Sequence, residues 1–152
     1  TTYGRTLLRR ADDDWLVLTA MSTRGNGGGV WALAGLTATA PAGPYTAPTL
    51  LLHPESSRWH PHPCEFYPCF AHGGYAYCPC TSLQANRGYQ VLFRAPLAEA
   101  MAPSAWEVHQ AGSLFHWDGS PDRAYGIWGQ TLSGFVDASG GFRVMYPSRT
   151  AK

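Results

Sequence analysis

Glycine and proline punctuate this chain so often that a long helix has almost nowhere to form. Seventeen Gly and twelve Pro are spread through 152 residues, and each interrupts helical propagation. Between them lie short runs rich in aromatic and β-branched residues: Trp15–Thr19 (WLVLT), Val30–Leu33 (VWAL), Tyr75–Cys78 (YAYC), Tyr89–Phe93 (YQVLF) and Phe142–Tyr146 (FRVMY). That pattern predicts an all-β chain. Pro96–Met101 (PLAEAM) is the one helical candidate, about a turn and a half long and stopped by Pro103. Two hairpin turns are expected, at His72-Gly73-Gly74 and across Asp137–Gly141. Thr49–Leu52, Trp106–His109 and Ser113–Phe115 read as weaker strands.

The hairpins recur. A first strand is expected to open near Trp15, a second set near Phe66 and a third near Ile127, at intervals of roughly fifty residues, which suit four-stranded propeller blades. A β-sandwich with similar hairpins fits the spacing equally well. A hydrophobic content of 45% with 13% aromatics argues for a folded core. We therefore expect one β domain over 1–152, forming part of a larger propeller.

Charge excludes several classes of partner. The formal net charge is +1 and Arg9-Arg10 is the only adjacent basic pair, so no phosphate-binding stripe is present and nucleic acid is not an expected partner. No run reaches the eighteen or so apolar residues that a membrane-crossing helix needs, and the N-terminal TTYGRTLLRRADDDW lacks a signal-peptide layout. The chain as given is expected to be soluble, without a membrane partner.

Chemistry-bearing residues concentrate between Trp59 and Gln90, where WHPHPCEFYPCFAHGGYAYCPCTSLQANRGYQ holds all four cysteines, several histidines and aromatics, and one carboxylate, Glu65. A carboxyl group among rings is expected to have its pKa raised by partial burial, leaving it protonated and able to donate near neutral pH.

With its acidic residue in HPCEFYP at the mouth of a strand, the run of hairpins resembles the five-bladed β-propeller glycosidases, the clan of arabinanases, xylosidases and fructosidases. The segments GYQVLFRAPL, AWEVHQAGSLFHW and GIWGQTLSGFVDASGGFRVMYPSR resemble later blades of uncharacterised propellers of this kind. The resemblance spans Trp15 to Arg149 through loose motifs, and only Glu65 carries over onto a family position. It implies a glycoside hydrolase-like protein with Glu65 as general acid. Five blades need about 250–300 residues, so this chain would supply about two and a half to three of them and end within the propeller.

Glycoside hydrolysis needs two carboxyl groups about 5–5.5 Å apart for retention or about 6.5–9.5 Å apart for inversion. Asp12, Asp13, Asp14, Asp118, Asp122 and Asp137 all fall in turns or loops, where Asp ordinarily bonds nearby backbone amides. The family order would place the partner upstream of Thr1. Rings and planar polar groups suited to sugar are Trp59, His62, Phe66, Tyr67, Asn86, Arg87, Gln90, His116, Trp128, Gln130 and Arg149. Their ordinary role is in the core or at turns, but they concentrate in two loop regions, where β scaffolds carry function.

Cys64, Cys69, Cys78 and Cys80 allow three states. They can be free buried thiols, one or two disulfides, or a zinc site with nearby histidines, although the spacing lacks the C-x2-C knuckle of structural zinc. Antiparallel pairing across His72-Gly73-Gly74 would bring Cys69 near Cys78. Three functions remain open: a glycosidase-like enzyme, a non-catalytic glycan-binding or assembly propeller, and a small metal-binding β domain. Expected partners are carbohydrate, the remaining blades, or further copies joined through edge strands.

Overall fold

A computed structural model of the chain describes residues 2–22, 31–53, 64–66, 68–84, 87–109, 133–136, 139 and 141–145. The described chain is all-β, with two short 3-10 turns as its only helical elements.

The first sheet joins β1 (Thr2–Ala11), β2 (Asp14–Ser22), β3 (Trp31–Ala38) and β4 (Thr49–Leu52) antiparallel in chain order. Its first strand corrects the expectation of an opening near Trp15, because β1 pairs with β2 from Thr2↔Met21 to Ala11↔Asp14. The turn is Asp12-Asp13, and Asp13 takes a φ of +26°, a region aspartate enters more readily than most residues. Arg9 binds Asp12 at 2.5 Å and Arg10 binds Asp14 at 2.7 Å, so two of the three consecutive aspartates tie the hairpin to its own strand. Along β2, Leu16, Leu18 and Ala20 are buried at alternate positions, the period-two pattern of a strand with one face on a core.

At Gly35 of β3 any side chain would press on two neighbouring side chains, which would have to shift to admit it. A Cβ there would sit 2.6 Å from Met101 Sδ and 2.9 Å from Leu51 Cδ1. Gly35→Ala is expected to lower stability by about 1–2 kcal/mol through overpacking, read as a lower urea midpoint. An unchanged midpoint would show that Met101 swings aside without loss.

The second sheet comprises β5 (Cys64–Phe66), β6 (Phe70–His72), β7 (Tyr75–Gln84), β8 (Arg87–Pro96) and β9 (Glu107–Val108). Both β5 and β6 pair with β7, at Cys64↔Ser82 to Phe66↔Cys80 and at Phe70↔Tyr77 to His72↔Tyr75. They are two pieces of one strand position, so this sheet also follows chain order. The break between them coincides with Pro79, which has no N–H to offer a ladder. The expected His72-Gly73-Gly74 hairpin is present, with φ of +55° at Gly73 and +80° at Gly74, as a tight two-residue turn requires. The helical candidate is only a 3-10 turn at Leu97–Glu99, and Pro103 opens a second one, Pro103–Ala105, rather than ending helix.

A third pair, β10 (Ser133–Val136) and β11 (Phe142–Met145), forms the expected second hairpin. The expected strand at Ser113–Phe115 and the opening near Ile127 lie outside the described residues. One hydrophobic core serves both larger sheets: Leu8, Leu16, Leu18, Leu33 and Leu51 from the first meet Phe66, Cys78, Phe93 and Trp106 from the second.

Candidate functional site

The register of the second sheet assembles a row of side chains from four strands. Phe70 of β6 pairs with Tyr77 of β7, Tyr77 with Arg94 of β8, and Arg94 with Glu107 of β9. Ala76 and Cys78, the neighbours of Tyr77 in β7, are fully buried in the core, so alternation sends Tyr77 and its row to the opposite face.

Contacts along the row are specific. Phe70 and Tyr77 stack with ring centroids 5.1 Å apart and planes within 10°. The guanidinium of Arg94 lies 4.9 Å from the ring centre of Tyr75, a cation–π distance, and its Nε donates to Glu107 Oε1 at 2.7 Å. Arg94 is held above its ordinary pKa, first by the hydrogen bond to Glu107, so it is cationic at any working pH. His109 meets the Tyr77 ring edge-on at 5.3 Å. Its backbone N–H donates to Leu92 O at 2.9 Å, which fixes the chain beyond β9. On the other side of Glu107, Trp106 is buried and donates Nε1–H to Ala100 O at 3.0 Å. Glu107 is therefore a mostly exposed carboxylate on an anchored backbone.

Glu65, the residue singled out by the sequence, occupies the centre of β5 opposite Thr81, and Thr81 pairs in turn with Gln90. Glu65 and Gln90 thus share one register row two strand spacings apart, about 10 Å. Arg87 starts β8 opposite Gln84, three positions from Gln90. Trp59, His62, Tyr67, Asn86, His116, Trp128, Gln130 and Arg149 lie outside the described residues. Phe66, also a sugar-contact candidate, is 2% exposed and belongs to the core.

Of the states open to the cysteines, the structure holds Cys69–Cys78 as a disulfide with Cα atoms 4.3 Å apart. Cys80 is disulfide-bonded as well, and no described cysteine is free. Cys64 stands in β5 opposite Ser82. Sulfurs joined in disulfides offer no thiolate to zinc. Among the described residues no group of three or more His, Cys, Asp or Glu is placed to hold a metal ion. None of the described helices is long and apolar enough to cross a membrane.

The row of Tyr77, Arg94 and Glu107 escapes sequence reasoning because its members lie on three separate strands and only register unites them. One local signal was present. In YAYC, rings alternate with small residues, which marks a strand with an aromatic face and a tightly packed one.

No protein-family model matches the chain, and no curated protein matches it.

Proposed function

We propose that this chain is a carbohydrate-binding domain of propeller-like architecture whose saccharide lies along Tyr75, Tyr77, Arg94 and Glu107. The observation that carries the reading is the Tyr–Arg–Glu juxtaposition on a partly exposed sheet face. Rings pack against the apolar faces of sugars, while a guanidinium and a carboxylate serve hydroxyl groups as donor and acceptor. Phe70, stacked beneath Tyr77 and 9% exposed, backs the ring. Support for the propeller comes from strand order: both larger sheets run up and down in chain order, the layout of propeller blades, whereas immunoglobulin-type sandwiches use Greek-key crossings.

Hydrolysis with Glu65 as general acid is the second reading, favoured by the shared row of Glu65, Thr81 and Gln90. Glu107 is not its partner carboxylate. It stands three strand spacings from β5, about 14 Å before any offset along the strands, beyond the range of either glycosidase geometry.

Calorimetric titration with a panel of neutral and acidic oligosaccharides tests both. Tyr77→Ala is expected to weaken binding about tenfold or more, with Tyr77→Phe losing less, since it keeps the ring and gives up only the hydroxyl's hydrogen bond with Arg94. Glu65→Gln is expected to leave affinity in place. Loss of turnover by orders of magnitude in Glu65→Gln, with ligand still bound, would establish the hydrolytic reading instead. No binding to any saccharide by the native chain would overturn the carbohydrate assignment.

A further inference from the structure

We propose that Glu107 makes this site select neutral over acidic saccharides by occupying the guanidinium of Arg94. The inference rests on the carbohydrate-binding reading and adds its specificity. A uronate or other carboxylated sugar is recognised best by a free guanidinium fork, which takes a carboxylate through two parallel N–H donors. In this chain one donor of that fork, Nε, is already taken by an anionic partner, so the edge that would take a carboxylate through Nε is no longer free. Arg94 Nε donates to Glu107 Oε1 at 2.7 Å, and the two residues are direct register partners on β8 and β9.

Two features keep the partner in place. The backbone of Glu107 is pinned on both sides, by buried Trp106 with its indole bond to Ala100 O and by the His109 N–H bond to Leu92 O. Arg94 is itself held by the Tyr75 ring, 4.9 Å from its guanidinium, and by a side-chain hydrogen bond with Tyr77. An acidic sugar approaching this face therefore meets a guanidinium whose charge is compensated and a carboxylate, 59% exposed, that repels it. A neutral sugar meets neither obstacle. Its hydroxyls can donate to the free lone pairs of Glu107 and accept from the remaining N–H groups of Arg94 while its ring lies over Tyr77.

Isothermal titration with cello-oligosaccharides, xylo-oligosaccharides and oligogalacturonides of matched length tests this in the native chain, in Glu107→Gln and in Arg94→Gln/Glu107→Gln. Native protein is expected to bind the better neutral series at least tenfold tighter than the oligogalacturonide. Glu107→Gln is expected to shift that ratio at least tenfold towards the acidic ligand, with a steeper salt dependence. The double variant is expected to lose the part of the shift that a released Arg94 supplies, keeping only what relief of the Glu107 repulsion contributes. Each change is made at a partly exposed pair, and unchanged circular dichroism confirms that it reports binding. Equal native affinity for neutral and acidic ligands, or an unaltered ratio in Glu107→Gln, overturns the selectivity while leaving carbohydrate binding intact. Silence from all three series in all three proteins overturns both.

Discussion

Phe66→Ala is expected to cost about 3–5 kcal/mol of folding stability, the range for truncating a large buried aromatic side chain. That is a large share of the 5–15 kcal/mol of a typical domain. The ring is 2% exposed and lies 5.8 Å from Phe93, tilted by 46°. It belongs to the one core that both larger sheets share. Its strand, β5, is only three residues long and packs against β3 of the first sheet. So short a strand makes few ladder bonds, and packing must fix its place. A cavity here would open where the two sheets meet. Phe66→Leu, which keeps most of the volume, should lose much less. Urea unfolding followed by far-ultraviolet circular dichroism measures the difference. A loss below about 1 kcal/mol would mean that the sheets do not depend on a common interior. Glu65 precedes Phe66 in the same three-residue strand, so any role for that carboxylate rests on this ring staying seated.

How much of this was legible in the sequence depends on the range of the interaction. Both hairpin turns, at Gly73-Gly74 and between Val136 and Phe142, were readable because turn chemistry is local. β1 was not. Arg5, Arg9 and Arg10 break the apolar alternation of TYGRTLLRRA, and only the structure shows Arg9 and Arg10 drawn back onto Asp12 and Asp14. Three acidic residues that suggested catalytic candidates are thus the closing residues of a hairpin. The approach of Cys69 to Cys78 followed from the register of the Gly73-Gly74 turn. Their bonded state did not, because spacing alone does not distinguish a thiol pair from a disulfide. The candidate site fell furthest outside reach. Tyr77, Arg94 and Glu107 each look like ordinary strand residues, and their meeting is a property of three paired strands that no single segment encodes.

Removing the Cys69–Cys78 bond is expected to cost about 2–3 kcal/mol, from the chain entropy released when a loop of nine residues' separation is no longer closed. Both positions are buried, at 4% and 0% exposure, so alanine at each adds a small packing loss. The bond also has a local task. The ladder on this side of β7 is interrupted between the Phe66–Cys80 and Phe70–Tyr77 pairs, at the point where Pro79 cannot donate. Cys69 and Cys78 join the strands covalently there, with Cα atoms 4.3 Å apart, one residue from Phe70 and one from Tyr77. The staple thus holds in register the two rings that stack at 5.1 Å behind the proposed saccharide. Cys69→Ala/Cys78→Ala should accordingly do two things: lower the urea midpoint by the amount above, and weaken oligosaccharide binding at temperatures where the fold is still intact. A variant that lost stability but bound sugar unchanged would assign the bond to the scaffold alone. One that kept its stability within about 0.5 kcal/mol would show that the β6–β7 turn and the core already close the loop without it.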